Sequence, residues 1–409
     1  MKLVKSLLLG SAAGLVAVAG ASAADLGVKK PTAVEYVKTC PQYGAGFFVV
    51  PGTTSCLKLI GRVRVEYTFN NDTARTQDKN TFVARGYFGY DHRTTTEYGL
   101  LRTYVRGYIG RVNDVGGSGS AGGYRAVLEY AFIQFGGLTV GRVTPIFEHG
   151  YSNSFLGSGS FGGFSDIAYV NTFGYTFNFG GGFSASVALD AARERQAGLA
   201  GTTYGGQAMP DIVASLDYAA SWGSAKLAGA IHQVRDGINP PASTKYGWAI
   251  TGAAKINLPM ISRGSNIWFN GTYTEGAISY AGFSNTSTIG GSTYTFVDAR
   301  WLGPAPGRLS LSKAWAIAGG LEVFAAPTVR LGIVGTYASY DPQGASNTVK
   351  TYSIAGQAAW LPTAGFLIGA EVVYTGSTRN TLAAVANSTG GDRNDKSQWT
   401  GRLRFQRDF

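Results

Sequence analysis

The sequence predicts an all-β protein: a transmembrane antiparallel β-barrel of about 16 strands, with short periplasmic turns, long extracellular loops and an inward-folded third loop. Three observations lead to this prediction. Apolar and polar residues alternate with a period of two in segments of about ten residues. Short and long connections alternate between these segments. The 409 residues include 59 Gly, 23 Tyr and 22 Phe but only 14% charged residues, less charge than a soluble domain normally carries.

The first element, residues 1–23, has the pattern of a secretory signal peptide. Lys2 and Lys5 precede an apolar run over residues 7–19, and Ala21 and Ala23 form an A-x-A cleavage site. The run is too short to span a bilayer as a helix, although a retained anchor is the alternative interpretation. We therefore expect an exported chain that starts near Ala24.

The second element, residues 24–56, is a turn-rich segment with the two cysteines of the chain, Cys40 and Cys56. Disulfides persist in exported proteins, so we expect these two residues to be bonded. Closing a loop of this size would stabilise the fold by about 3 kcal/mol. Two lone cysteines are a poor metal site, and no metal or other cofactor is expected.

The third element, residues 57–409, is the predicted barrel, and its first and last segments show the alternation most clearly. In the first, Leu59, Val63 and Val65 share one face, and Lys58, Arg62 and Arg64 share the other. The last segment alternates in the same way up to Phe409. A β-sandwich is the alternative, but a sandwich gives no reason for charge on one face of every strand in so weakly charged a chain.

The connections predict the strand number. Eight long polar connections follow residue 70, and short turns lie between them. Because each long loop joins two strands, eight loops predict about 16 strands and a lumen wide enough for water. The third long connection, at about 145–170, is the candidate constriction loop. Its phenylalanines, interleaved with glycines, could anchor the loop to the wall or provide a surface for solute stacking; they are Phe147, Phe155, Phe161 and Phe164.

Basic side chains on the predicted lumen face are the main candidate site. An Arg facing lipid near the membrane centre costs about 2–4 kcal/mol, which favours the lumen. The candidates are Lys58, Arg62, Arg64, Arg85, Arg102, Arg106, Arg125 and Arg142, with Glu148 and Asp166 of the third loop opposite. The alternative is that these are paired, solvated charges, since Glu66, Asp91 and Glu129 share the basic face. The excess of basic groups predicts a weak preference for anions.

Other classes of function find little support. The chain has three histidines and no H-E-x-x-H or G-x-S-x-G motif, so an enzyme is not expected. Two glycine patterns of dinucleotide-binding form lie in loops without a strand–turn–helix context, and we attribute them to chance. The sequence pI is about 9.5, but the basic residues are spread along strands, so a nucleic-acid partner is not expected.

Several stretches resemble the alphaproteobacterial general porins of the rhizobial and Brucella type. They are Ala24-Asp25-Leu26, residues 33–37, Cys40 with residues 43–48, residues 51–53, residues 56–58, residues 131–137 with Gly141-Arg142, and residues 404–409. The resemblance covers nearly the whole chain. We identify no such resemblance in the 276–313 and 376–396 loops.

This resemblance implies a 16-stranded homotrimer of the bacterial outer membrane, in contact with lipid and lipopolysaccharide. It also implies that Phe409 is the signal for the barrel assembly machinery, although Arg407 stands where a hydrophobic residue is usual. The implied function is passive diffusion of small hydrophilic solutes. Two alternatives remain: a sugar- or anion-selective channel, and a surface adhesin or phage receptor with an incidental pore.

Overall fold

A computed structural model describes residues 37–71, 78–112, 123–151, 169–237, 243–289, 292–303, 309–342, 348–379 and 396–409. The predicted signal peptide (1–23) and Asp166 lie outside these residues. So do Phe155, Phe161 and Phe164 of the third loop. No helix among the described residues is long and apolar enough to cross a membrane.

Sixteen long strands of the described chain form one closed antiparallel barrel, as the sequence predicts. The strands are β1 (Cys56–Asn70), β2 (Asn80–Thr96), β3 (Gly99–Val112), β4 (Gly123–Phe135), β5 (Leu138–Val143), β6 (Val170–Gly180), β7 (Phe183–Asp190), β8 (Asp211–Ala220), β9 (Gly223–Arg235), β10 (Thr244–Asn257), β11 (Asn266–Glu275), β12 (Lys313–Ala326), β13 (Val329–Asp341), β14 (Val349–Thr363), β15 (Phe366–Arg379) and β16 (Lys396–Asp408). Each strand pairs with the next, and β16 pairs with β1, from Arg62 opposite Asp408 to Asn70 opposite Thr400. Closure leaves no unpaired strand edge to face lipid.

The alternation of side chains gives the barrel two different faces. On β1, Leu59 and Val63 lie on the outer face and are 64% and 50% exposed. Glu66 lies on the inner face of the same strand and is 2% exposed. Paired residues of neighbouring strands point to the same side, so this division continues around the wall. Apolar side chains therefore meet lipid, and the charged ones point into the barrel.

Short elements outside the wall lie at its two ends. The 3₁₀ turn Pro41–Tyr43 and the short strand Phe48–Val49 belong to the N-terminal segment, which the Cys40–Cys56 disulfide closes as predicted. Two further 3₁₀ turns, Ala192–Arg195 and Ile278–Ala281, begin long loops after β7 and β11. The remaining short strands all lie in those two loops: Leu199–Ala200, Thr286–Ile289, Ser292–Thr295, Ala299–Trp301 and Leu309–Leu311.

The third loop and the 276–312 loop fold into the barrel and fill part of its interior. Phe147 of the third loop and Tyr280 of the 276–312 loop pack on small inner side chains of β8–β10, including Ala228 and Ala249. Phe283 and Phe296 pack in the same way on alanines of β12 and β13. Because alanine side chains leave space next to the wall, one half of the barrel holds loops, and the half built from β1–β4 and β16 carries most of the inward arginines.

Candidate functional site

The charged half of the wall contains most of the predicted site residues. The inner face of β1–β3 carries Lys58, Arg62, Arg64, Arg85, Arg102 and Arg106, and β4 adds Arg125. The pairing register sets their order: Lys58 lies opposite Asp91, Arg64 opposite Arg85, and Arg125 opposite Gly110. Sequence alternation predicts these inner positions because β1, β2 and β3 pair without a register shift, so successive side chains keep alternating between the two faces.

Three of these six arginines form ion pairs with carboxylates of the same wall. Arg106 Nη2 lies 2.7 Å from Glu129 Oε2, and Arg102 Nη2 lies 3.0 Å from Asp91 Oδ2. Arg62 pairs with Asp408 at the end of the chain. These pairs cancel much of the charge at their positions, which is the alternative that the sequence left open.

Three further arginines of this wall were missing from the predicted site. Arg93 shares Asp91 with Arg102, at 2.8 Å, and both Arg402 and Arg404 of β16 pair with Glu66. Arg402 and Arg404 are visible in the polar face of the last sequence segment. Their position beside β1 depends on barrel closure, which brings together residues more than 330 positions apart.

Arg64 and Arg85 differ from most other arginines of this wall; Arg125 also has no ion pair in the described part of the chain, but it is exposed near the start of β4. Neither Arg64 nor Arg85 has a carboxylate partner among the described residues, although they face each other across β1 and β2. Arg64 Nε donates to Gln406 Oε1 at 2.9 Å, and Arg85 Nε is buried without a hydrogen-bond acceptor in the described part of the chain. Like charges directly opposite one another are unfavourable. The pair therefore concentrates positive charge at one level of the lumen.

Tyrosine rings support these two guanidinium groups. Arg64 lies 5.4 Å from the ring centroid of Tyr87, and Arg85 lies 5.0 Å from that of Tyr108. The two rings are 5.0 Å apart and almost fully buried. Cation–π contacts of this kind attract a cation to a ring by about 0.5–2 kcal/mol. The sequence analysis missed these tyrosines, although Tyr87 has the same strand parity as Arg85.

The third loop folds inward, and residues 145–151 show its path. Phe147 is 2% exposed and lies 4.7 Å, ring to ring, from Tyr280. Tyr151 Oη lies 2.9 Å from Ser224 Oγ on β9. Phe147 thus serves as an anchor, which is one of the two roles that the sequence suggested for the loop aromatics.

Glu148 does not face the basic wall in the manner predicted. Its carboxylate is 8% exposed and lies 3.9 Å from Arg195, a residue of the loop after β7 that is itself buried. Because Arg195 takes up this charge, Glu148 contributes little to a field across the lumen. Asp166, the other predicted acid, lies outside the described residues.

Arg142 lies on the outer face of the barrel and not on the lumen face, where the sequence analysis placed it. It pairs with Asn171 of β6 and therefore shares a face with Phe173, which is 66% exposed on the outside of the barrel. Its guanidinium lies 2.7 Å from Glu194 near the loop rim. Counting alternate residues from β4 fails here because Glu129 is an extra residue in β4 and the register shifts after Arg106.

Comparison with known proteins gives a consistent result. The porin subfamily model matches residues 25–402. The porin Omp2b of Brucella neotomae is 31% identical, with 99% of each chain covered. Among solved structures, the outer-membrane channel DcaP of Acinetobacter baumannii has a TM-score of 0.65 at 15% identity, covering 88% of this chain and 99% of that one. The trimer form of in-vitro folded OmpT of Vibrio cholerae has a TM-score of 0.52 at 11% identity, covering 87% and 100%.

Proposed function

We propose that this chain, which belongs to the porin subfamily and is a channel of the bacterial outer membrane, lets small hydrophilic solutes diffuse passively, with a weak preference for anions. The observation that carries the anion preference is the Arg64–Arg85 pair. These two half-buried inward guanidiniums have no carboxylate partner among the described residues, whereas Arg62, Arg102 and Arg106 are paired.

The size of this preference follows from electrostatics at a wet surface. Two unit charges about 4 Å apart interact by about 1 kcal/mol in water and by about 4 kcal/mol near a protein surface. In the water-filled lumen the smaller value applies, so a chloride ion beside the two guanidiniums gains on the order of 1 kcal/mol and a potassium ion loses as much, which corresponds to a weak preference. Ion pairs at the other arginines contribute much less, since their fields cancel within a short distance.

The reversal potential in a planar bilayer under a potassium chloride gradient tests the proposal. We expect the wild-type protein to favour chloride, and the double variant Arg64→Gln/Arg85→Gln to lose at least half of that preference. Arg407→Gln is a matched control, because it removes a positive charge at an exposed position that binds the Ala364 carbonyl at the turn after β14. Cation preference in the wild type, or an equal effect of Arg407→Gln, would overturn the assignment.

The remaining partners belong to the same proposal. A homotrimer is supported by the family and by the trimer form of the OmpT neighbour, and lipopolysaccharide at the outer rim suits the basic net charge of +11. Phe409 would be the residue that the barrel assembly machinery reads. Conductance that rises in groups of three steps, and a native mass of three chains, would support the trimer; single steps and a monomer mass would contradict it.

A further inference from the structure

Two long loops lie inside the mouth of the barrel, and one buried carboxylate joins them. Asp298, in the 276–312 loop, is fully buried. Its Oδ2 accepts a hydrogen bond from the Ala197 amide of the 191–210 loop at 2.8 Å, and its Oδ1 accepts one from the Ile278 amide of its own loop at 3.0 Å. Asp298 therefore links the 191–210 loop to the 276–312 loop, and within its own loop it also binds the first turn.

The same carboxylate connects both loops to the barrel wall. Tyr204, in the 191–210 loop, donates its hydroxyl to Asp298 Oδ2 at 2.7 Å, and its oxygen lies 3.2 Å from His232 Nε2 on β9. His232 Nδ1 lies 2.8 Å from Asp211 Oδ1 on β8. The result is a continuous chain of three contacts, Asp211–His232–Tyr204–Asp298, that runs from the wall to the loops.

Counting hydrogens shows that this chain needs an extra proton. Each of the three contacts requires one hydrogen between its two heavy atoms. A neutral imidazole and a tyrosine hydroxyl supply two, and two ionised carboxylates supply none. The third hydrogen must come from a protonated His232 or a protonated carboxyl. Without it, two acceptors would face each other in a buried place, which is unfavourable.

The buried carboxylates around the three-contact chain favour retention of this extra proton. Three fully buried carboxylates, those of Asp190, Asp211 and Asp298, outnumber the cationic groups near them, Arg195 and His232. Burial raises the pKa of the Asp298 carboxyl, against the opposing effect of His232. Burial and the neighbouring Asp298 also raise the pKa of Tyr204 well above its usual range, so its hydroxyl stays protonated.

Other titratable groups lie around the chain, among them the buried Asp236 directly after β9, whose carboxylate accepts a hydrogen bond from Thr202 of the 191–210 loop. Glu148 of the third loop lies 3.9 Å from Arg195, whose guanidinium lies 4.2 Å from the ring of Tyr280. Tyr280 Oη donates to Asp211 Oδ2 at 2.8 Å, and Tyr340 Oη of β13 lies 3.2 Å from the Val297 amide beside Asp298. Both hydroxyls bring their own hydrogen, and none of these groups supplies the missing one to the three-contact chain.

We propose that Asp211, His232, Tyr204 and Asp298 form a one-proton latch that holds the two loops in the mouth of the pore and releases them as the pH rises. When the loops are out in water, an imidazole loses its second proton near pH 6.5 and a carboxyl loses its proton near pH 4. Docking the loops thus takes up one proton, so acid stabilises the docked state and alkali weakens it. Asp298 and Tyr204 thus position the two loops inside the mouth of the pore.

Thiol labelling of Ser279→Cys, in detergent-solubilised full-length protein, measures loop release. Ser279 lies in the 276–312 loop, is fully buried, and its hydroxyl makes no hydrogen bond among the described residues. An uncharged maleimide reagent should therefore reach Cys only when the loop leaves the mouth. Ser221→Cys, at an exposed turn position, corrects for the pH dependence of the reaction itself. We expect the corrected rate to rise up to tenfold per pH unit between about pH 6 and about pH 9.

Removal of the central hydroxyl tests the latch itself. In Tyr204→Phe the chain of contacts is interrupted and no extra proton is needed, so the corrected labelling rate should be independent of pH. Asp298→Asn is a second variant: its uncharged amide donates to Tyr204 at the cost of the hydrogen bond from the Ala197 amide, so docking is weakened at every pH but needs no extra proton, and pH dependence should again be lost. Tyr67→Phe, which removes a hydroxyl bonded to Asn80 outside these loops, is the control and should behave as the parent.

Three results would overturn the latch: a corrected rate in the parent that does not change with pH, an unchanged slope in both variants, or an equal loss of slope in Tyr67→Phe. Single-channel conductance gives an independent measurement, since it should rise with pH in the wild type and not in the variants. The latch does not depend on ion selectivity. Failure of the Arg64–Arg85 proposal therefore leaves it intact, and the reverse also holds.

Discussion

At the scale of single residues, Phe409 occupies a defined position against Gly61 of β1. The amide of Phe409 donates to the Gly61 carbonyl at 3.0 Å, and the amide of Gly61 donates to the Phe409 carbonyl at 2.9 Å. The aromatic ring lies over Gly61 so closely that a Cβ atom there would be 2.2 Å from the ring. Glycine is required at this position because the ring occupies the space of a side chain.

Gly61→Val should therefore hinder barrel closure. We expect the ring of Phe409 to be displaced, and thermal stability and the yield of refolded barrel to fall, by about 1–3 kcal/mol in unfolding free energy. Heat-modifiable mobility in gel electrophoresis after refolding measures both. Gly401→Val, on the same outer face of β16 with open space around its Cβ, is the matched control and should be nearly neutral. Equal losses in the two variants would contradict this explanation.

For Arg64 and Arg85, the sequence predicts the face of the strand but not whether each arginine has an ion pair. Strand parity places both on the inner face, and the sequence also shows carboxylates of the same parity nearby. Which arginines are paired depends on rotamers and cross-strand register. Asp91 lies between Arg93 and Arg102 in the folded wall and pairs with both, while Arg64 donates a hydrogen bond to the amide oxygen of Gln406.

At the scale of elements, the third loop depends on one aromatic anchor. Phe147 contacts Val213 and small inner residues of β9 and β10, with Tyr280 against its ring. The neighbouring Ile146 is only partly buried at the edge of the same cluster. Burial of a phenylalanine side chain stabilises a fold by about 1.5–3 kcal/mol, so this contact contributes strongly to the docking of the loop.

Phe147→Ala should loosen the loop. We expect a cost of about 3–5 kcal/mol at the loop–wall contact. The conductance should become larger and noisier, because the loop would leave the lumen for part of the time. Single-channel recording measures the change. Ile146→Ala removes less buried surface from the same loop and should show a smaller effect in the same direction. Quiet, unchanged conductance in Phe147→Ala would show that other contacts hold the loop.

At the scale of the whole molecule, the two halves of the wall have different roles. The half made of β1–β4 and β16 presents guanidiniums to the lumen, and the half made of β8–β15 presents small side chains that receive loops. Solutes therefore pass along a charged wall on one side and a loop surface on the other. Ion selectivity should depend on the first half, and the size of the mouth on the second.

This division predicts a specific dependence on salt. The Debye length is about 10 Å at 0.1 M and about 3 Å at 1 M, so a preference produced by wall charges is screened in concentrated salt. Reversal potentials at a fixed concentration ratio should show a chloride preference at low salt that declines towards none near 1 M. The Arg64→Gln/Arg85→Gln variant should be nearly insensitive to salt. A preference that persists at high salt would point to binding at close contact instead of a long-range field.

The sequence by itself determined the features that follow from local periodicity. Alternation assigned the inner and outer faces of β1–β3, because a strand places successive residues on opposite sides whatever its partners are. The eight long connections implied the 16 strands. The disulfide between Cys40 and Cys56 was also predictable, since an exported chain with only two cysteines offers one pairing. The family resemblance agreed with these results and added the outer membrane.

Only the tertiary structure decided which charges remain unpaired and what the loops do. Arg142 lies on the outer face because an extra residue in β4 shifts the register, and periodicity cannot reveal such an insertion. Barrel closure brought Arg404 to Glu66, and loop insertion brought Asp298 to Tyr204 and to His232 on the wall. These contacts join residues far apart in the chain, and their energies depend on distance and burial, which no local pattern in a sequence encodes.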